Sequence, residues 1–322
     1  MISVTNMRTM LLFLPSWEDS FEDIAVAKTL LVPLRAGHSG PGDLLWLDWI
    51  GEDQQMTREP EGTEAASYFQ RESSVCYWPT HHVSGGWNPQ EQHIAPAIGL
   101  LAHAVQRDMA ERRQDGLQLA RLSCDILGVI PMESVKVEVE LLRPGRTIEL
   151  VQARLSHAGR DAVLARAWLT KAYDSGKLAG SELPPLPPLE TFERWGLDTN
   201  WPGGFVRSTQ IWRRELAPGR VQFWLRGDVA LIEGEPVGRV AHMLRLIDVA
   251  NGVSARAAPE DVLFPNLDLT VHLFREPVGD LIGLDSTQSF GPTGLGLTET
   301  VLHDEQGPFG TFSQILTVRP RA

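Results

Sequence analysis

Cysteine is almost absent from this sequence: Cys76 and Cys124 are the only two in 322 residues. Two distant thiols offer neither a disulfide framework nor the paired spacing of a metal site. Both sit among apolar neighbours, which suits buried structural thiols in a reducing compartment. Basic charge is also short, with 29 Lys and Arg against 41 Asp and Glu and a formal net charge of -12. Such a surface repels a phosphate backbone and excludes nucleic acid as a default partner, while leaving room for a local patch that holds a small phosphorylated molecule. Long apolar runs are missing as well. The stretch at 10–15 is too short for a membrane span or a signal peptide, and nothing elsewhere approaches about eighteen apolar residues. The reading is a soluble, cytoplasmic protein with no membrane partner. A Gly-x-Ser-x-Gly elbow, a Walker-type loop and a dinucleotide fingerprint are all lacking, which removes the enzyme classes built on them.

What is present suits a sizeable core. Hydrophobic residues make up 43% and charged residues 22% of the chain, close to the globular average. The length suits two domains of about 130 residues each. Residues 1–65 carry no sustained period and read as a poorly specified N-terminal extension. Order begins near Tyr68. Ile94, Ile98, Leu101, Ala102 and Val105 recur at spacings of three and four, which predicts a helix over 92–113. Strands are expected at 119–129, 135–142, 147–155 and 163–171, and the strict alternation from Val135 to Glu140 marks a sheet with one wet face. Four prolines between Leu183 and Leu189 rule out a helix or central strand there. The segment 179–203 therefore reads as a semi-rigid extended linker.

The same order of elements returns after the linker. Strands are expected at 206–213 and 222–226, a helix over 235–251, and strands at 267–274, 280–289, 295–303 and 310–318. Pro131 and Pro277 each end the strand after the helix, and Gly159 and Gly307 each mark a last hairpin, at a nearly constant offset. This is an internal duplication. Each half is expected to wrap an antiparallel sheet around its helix, and the two sheets to join edge to edge. The domains are set at 66–178 and 204–322.

Four segments carry a family resemblance: Gly86 to His93 before a small-residue helix, Leu246 to Ser254, Asn266 to Leu273, and Leu302 to Gly310 with Gln314. Over roughly residues 68–322 the chain resembles the thioesterase-like superfamily, and within it the bacterial type II acyl-CoA thioesterases. The resemblance implies an α+β double hotdog, with two tandem units each holding a long central helix within an antiparallel sheet. It implies hydrolysis of acyl-CoA or related thioesters, without cofactor or metal, by a chain that works as a monomer or as a homo-oligomer. The family's Asp on the second helix falls on Asp248 and its Gln on the last strand falls on Gln314. The hydroxyl residue of the intervening strand falls on Asn266, an amide, while a shifted register selects Thr270 instead. Asp248 would then act as base toward a water held with Asn266 and Gln314, its burial beside Leu246 and Ile247 raising its pKa. Backbone N–H groups near a helix N-terminus would polarise the carbonyl.

Competing readings stay open at this point. Asp248 also reads as a helix-end aspartate, Asn266 as a turn residue and Gln314 as a surface strand residue. His81, His82 and His93 precede the first helix and read as turn or core histidines, or as the base of a hydratase or dehydratase. The positions roughly matching Asp248 and Gln314 in the first half are Ala102 and Arg166, which makes that half a degenerate scaffold. With Asn266 in place of a hydroxyl, a non-catalytic binder of acyl thioesters or other hydrophobic ligands is the alternative to hydrolysis.

Overall fold

The structure is a computed structural model that describes residues 66–196 and 201–321. The extension at 1–65 and the linker residues 197–200 lie outside the described residues. Strands β1 (Ser67–Arg71) and β2 (Cys76–Pro79) precede helix α1 (Ile94–Arg112), which is followed by β3 (Gln118–Ile126), β4 (Val135–Arg143), β5 (Ile148–His157) and β6 (Arg160–Thr170). The proline-rich segment leads to β7 (Glu193–Trp195), the one-turn helix α2 (Gly204–Arg207), β8 (Thr209–Ala217), β9 (Arg220–Gly227) and β10 (Ala230–Ile232). Helices α3 (Arg239–Leu244) and α4 (Ala250–Val253) follow, then β11 (Val262–Leu263), β12 (Asp268–Leu273), β13 (Ile282–Phe290), β14 (Leu295–Asp304), β15 (Gly307–Thr317) and β16 (Arg319–Pro320).

Fourteen strands form one sheet, in the order β10-β1-β2-β4-β5-β6-β3-β12-β15-β14-β13-β9-β8-β7. Outward from the antiparallel β3–β12 pair the two wings repeat each other: β6, β5, β4, β2, β1 on one side and β15, β14, β13, β9, β8 on the other. At this join Thr270 faces Ser123, and their hydroxyl oxygens are 2.9 Å apart. Joining the wings consumes the edges that each half would expose alone. The alternation read in β4 is real: Val135 and Val137 are buried while Lys136 and Glu138 are exposed.

Every residue of α1 from Ala95 to Val105 is buried. A helix with no wet face over three turns must be covered on all sides, and α1 lies against β4 and β5 on one side and α3 on another. The crossing with α3 is close. A Cβ on Gly99 would stand 2.6 Å from the Cβ of Arg245, so only glycine lets the two segments approach this far.

The single helix expected over 235–251 is not formed. Helix α3 stops at Leu244, a 3₁₀ turn covers Ile247–Val249, and α4 begins at Ala250. In an unbroken helix the Leu246 N–H would bond the carbonyl of His242; it bonds that of Met243 instead, at 3.0 Å. The guanidinium of Arg245 takes the His242 carbonyl and also donates to the carbonyls of Gly227 at 2.7 Å and Val229 at 3.2 Å. Arg245 is fully buried, and its side chain both ends the helix and ties the end to the β9–β10 connection. The apolar period of 235–251 is compatible with a helix, but it carries no sign of this side-chain competition for the backbone.

The strand expected over 206–213 also starts differently. Gly203 has φ 106°, and the Gly204 N–H donates to Ser84 Oγ at 2.6 Å. This leads into the turn of α2, and the strand itself begins at Thr209. The prolines of the linker leave its carbonyls as acceptors, and side chains of the C-terminal sheet use them. Trp224 Nε1 donates to the Pro187 carbonyl at 3.0 Å, and His303 Nε2 lies 3.0 Å from that of Pro184. The segment around Pro184 and Pro187 is thus a strap fixed to the sheet.

Candidate active site

Asp248 stands in the 3₁₀ turn set up by the helix break and is buried. Gln314 occupies an inward position of β15, between buried Phe312 and Leu316. Asn266 lies just before β12, held to Leu316 by an isolated bridge. The three meet at one oxygen. Asn266 Nδ2 donates to Asp248 Oδ1 at 2.9 Å and Gln314 Nε2 donates to the same atom at 2.7 Å. The surface reading of Gln314 therefore does not hold, since it is fully buried. Thr270, the alternative to Asn266, is elsewhere: its hydroxyl pairs with Ser123 at the β3–β12 join.

The arrangement leaves Asp248 with one loaded and one unloaded oxygen. Among the described residues nothing donates a hydrogen bond to Oδ2. Burial pushes the Asp248 carboxyl up to about 8, and the two amide N–H groups offset only part of that rise. Gln314 Oε1 is buried and has no partner among the described residues, and neither has Thr298 Oγ1. Thr298 is the direct cross-strand neighbour of Gln314. Two adjacent buried polar atoms without partners carry a desolvation cost of about 1–3 kcal/mol each. Water or a substrate group at this point would remove that cost.

His93 approaches from the N-terminal half. It is the N-cap of α1, with Nδ1 accepting from the Ala95 N–H at 3.1 Å, and its ring stacks on Phe205 at 4.0 Å. Nδ1 stands 3.9 Å from Asp248 Oδ2. This is an approach and not an ion pair, because the Nδ1 lone pair is already engaged by Ala95. Burial lowers the His93 pKa to about 3, so the ring is neutral. Beside it opens a small cleft of about 30 Å³ lined by Gly86, Trp87, His93, Trp201, Asn251 and Gly252, among others. Trp87 and Trp201 meet edge to face, their ring centroids 4.5 Å apart.

Sequence reasoning reads His93 as a turn or core histidine or as the base of a hydratase or dehydratase, and passes over Thr298. For His93 the available signal is its position directly before a helix that begins with no Ser, Thr, Asp or Asn. For Thr298 the apolar pattern points the wrong way, since Leu295 and Leu297 suggest inward slots that the structure gives to Gly296 and Thr298. The rings of His81 and His82 lie tilted to each other in a separate turn, their centroids 3.9 Å apart, and neither hydrogen-bonds Asp248. In the N-terminal wing Ala102 is buried and Arg166 points outward, while its inward neighbours Ala165 and Ala167 carry no polar group. Among the described residues no three His, Cys, Asp or Glu side chains converge as a metal ion would require. No described helix is long and apolar enough to cross a membrane.

Residues 83–170 match the acyl-CoA thioesterase N-terminal domain, and residues 182–318 match the acyl-CoA thioesterase C-terminal domain. The chain belongs to the acyl-CoA thioesterase family. Members of this family are thioester hydrolases, which is the class that the sequence motifs implied. No curated protein matches the chain in sequence. Among solved structures it is similar to a protein of Thermobifida fusca YX assigned as a thioesterase II, with 17% identity, 79% of this chain and 96% of that chain covered, and a TM-score of 0.62. It is also similar to a conserved hot dog fold protein of Alicyclobacillus acidocaldarius, at 12% identity, 80% and 98% coverage and a TM-score of 0.61. An acyl-CoA thioesterase II of Mycobacterium marinum follows at 14% identity, 79% and 96% coverage and a TM-score of 0.57. At these identities the likeness carries the fold, and the fold is a hotdog fold.

Proposed function

We propose that this chain is a double hotdog that hydrolyses acyl-CoA or a closely related acyl thioester, with water held by Asp248, Asn266 and Gln314. The sheet of the first half acts as scaffold and wall. The observation that carries this reading is the shared oxygen of Asp248. Two neutral amides fix Oδ1, which fixes the carboxylate plane and leaves Oδ2 as the basic atom. A water that donates one hydrogen to Oδ2 and the other to Gln314 Oε1 has its lone pair free for the carbonyl carbon.

Burial suits Asp248 to the task. A carboxyl with its pKa near 8 is a stronger base than an ordinary aspartate once ionised, and it takes the proton as the water attacks. The protonated Asp248 then stands ready to return that proton to the leaving thiolate, whose own pKa is close to about 8.5. Asn266 and Gln314 carry no charge, so they orient the carboxylate without lowering its pKa to the degree a cation would.

Release of free thiol from short, medium and long acyl-CoAs, measured for wild type and Asp248→Ala, tests the proposal. Thiol release that vanishes in the variant supports it. A folded wild-type protein that releases no thiol from any substrate refutes it.

A further inference from the structure

We propose that His93 is a catalytic residue of this site: its neutral ring presents Nε2–H to the thioester carbonyl oxygen and stabilises the oxyanion. The inference rests on the hydrolytic reading above and adds the group that polarises the carbonyl. Three observations lead to it.

The tautomer is fixed. Nδ1 accepts from the Ala95 N–H at 3.1 Å, so the proton of the neutral ring resides on Nε2 and makes that atom a donor. No described residue accepts from it. The ring is also held in place, by its N-cap bond and by stacking on Phe205 at 4.0 Å and 27°. A donor held this way need not reorganise during the reaction, which is the condition for strong oxyanion stabilisation.

The ring adjoins both the base and the cleft. Nδ1 is 3.9 Å from Asp248 Oδ2, and the same side chain lines the cleft with Trp87, Trp201 and Asn251. Nε2 belongs to this same ring, so a carbonyl attacked by a water on Oδ2 has the imidazole as its neighbour.

The helix N-terminus has fewer donors than usual. Of the first N–H groups of α1, that of Ala95 is taken by His93, and Pro96 has none. The N–H groups of Ile94 and Ala97 remain, and a side-chain donor at His93 adds to them.

In the reaction, water oxygen bonds to the carbonyl carbon and its proton passes to Asp248. The C=O electron pair moves onto oxygen, where the Nε2–H hydrogen bond strengthens. Collapse re-forms C=O and breaks C–S; the thiolate takes the proton from Asp248, and the acid gives its own proton to solvent. His93 stays neutral throughout.

The test uses His93→Asn, because Asn retains the cap on Ala95 but is too short to reach the cleft. Two non-hydrolysable CoA analogues are compared by calorimetric titration: one with CH2 in place of sulfur and the ketone kept, the other with that ketone reduced to CH2. Wild type is expected to bind the ketone about tenfold more tightly, a preference that His93→Asn abolishes. In turnover, His93→Asn is expected to lower kcat by about 100- to 1000-fold, the usual cost of one oxyanion donor, with KM little changed. Equal binding of the two analogues by wild type, or a preference or kcat that survives in His93→Asn, overturns the role of His93. Thiol release that depends on Asp248 in the same experiment leaves the hydrolytic reading standing. Failure of wild type to bind either analogue overturns the role of His93, and only absence of thiol release as well overturns both.

Discussion

Asp248→Asn separates chemistry from stability at one atom. The substitution keeps the size of the side chain, and its remaining oxygen still accepts from Asn266 and Gln314, which bond Oδ1 at 2.9 and 2.7 Å. The new amide takes the place of Oδ2, facing a histidine nitrogen 3.9 Å away. The base is gone, so turnover is expected to fall by about 100- to 10,000-fold. Stability moves the other way. The folded pKa of about 8 lies above the ordinary value of 3.8, so between these limits the native state holds a proton that the unfolded chain has released. Wild-type stability contributed by this group is complete below the ordinary value, and it is lost as pH rises toward 8 by about tenfold in the folding equilibrium per pH unit. The variant has no such titration, so its advantage over wild type grows across this window to a few kcal/mol and then levels off. Urea unfolding of both proteins at acid, neutral and alkaline pH measures this. Parallel pH dependences of the two would refute the burial argument. In wild type, kcat is expected to rise with pH and to level off above about 8, when Asp248 is ionised.

Two further substitutions probe the surroundings. Thr298→Val replaces a buried hydroxyl that has no partner among the described residues by a group of the same shape; thermal melting is expected at the wild-type temperature or above it, while kcat drops about tenfold if the hydroxyl touches the bound water. A lower melting temperature with unchanged kcat would mean that the hydroxyl is paired in the folded state and remote from the reaction. Arg245→Met leaves the carbonyls of Gly227, His242 and Val229 without their shared donor, at a cost of about 3 kcal/mol and a melting temperature lower by roughly 10 °C. Because the same side chain sets the turn that carries Asp248, kcat is expected to fall with it, and a variant that melts as wild type does would show that the helix break needs no guanidinium.

Strands β3–β6, β8, β9 and β12–β15 and the first helix were legible in the sequence because hydrophobic alternation and helical period report burial directly, whereas the short strands β1 and β2 were not. Asp248, Asn266 and Gln314 came from motif resemblance, and their meeting at one oxygen is something that no spacing could show. What stayed hidden had local causes. The break after Leu244 comes from Arg245 competing for a carbonyl, and a buried arginine looks like any surface arginine in sequence. Strand β14 turns Thr298 and Thr300 inward and exposes Leu295, so the apolar pattern names the wrong face where the sheet lines the polar site. The helix cap at His93 was passed over because histidine is an uncommon cap, although its place directly before the helix signalled it.

The continuous sheet has a consequence for counting. Two identical hotdogs related by symmetry would carry two equivalent sites. Here the join at β3 and β12 fuses unequal wings, and the inward positions near Arg166 hold Ala165 and Ala167. Histidine comes from one wing and carboxylate from the other, so the covalent link fixes their stoichiometry at one to one. Titration with a tight-binding inhibitor would therefore saturate at one equivalent per chain, and neither wing alone would retain a functioning half.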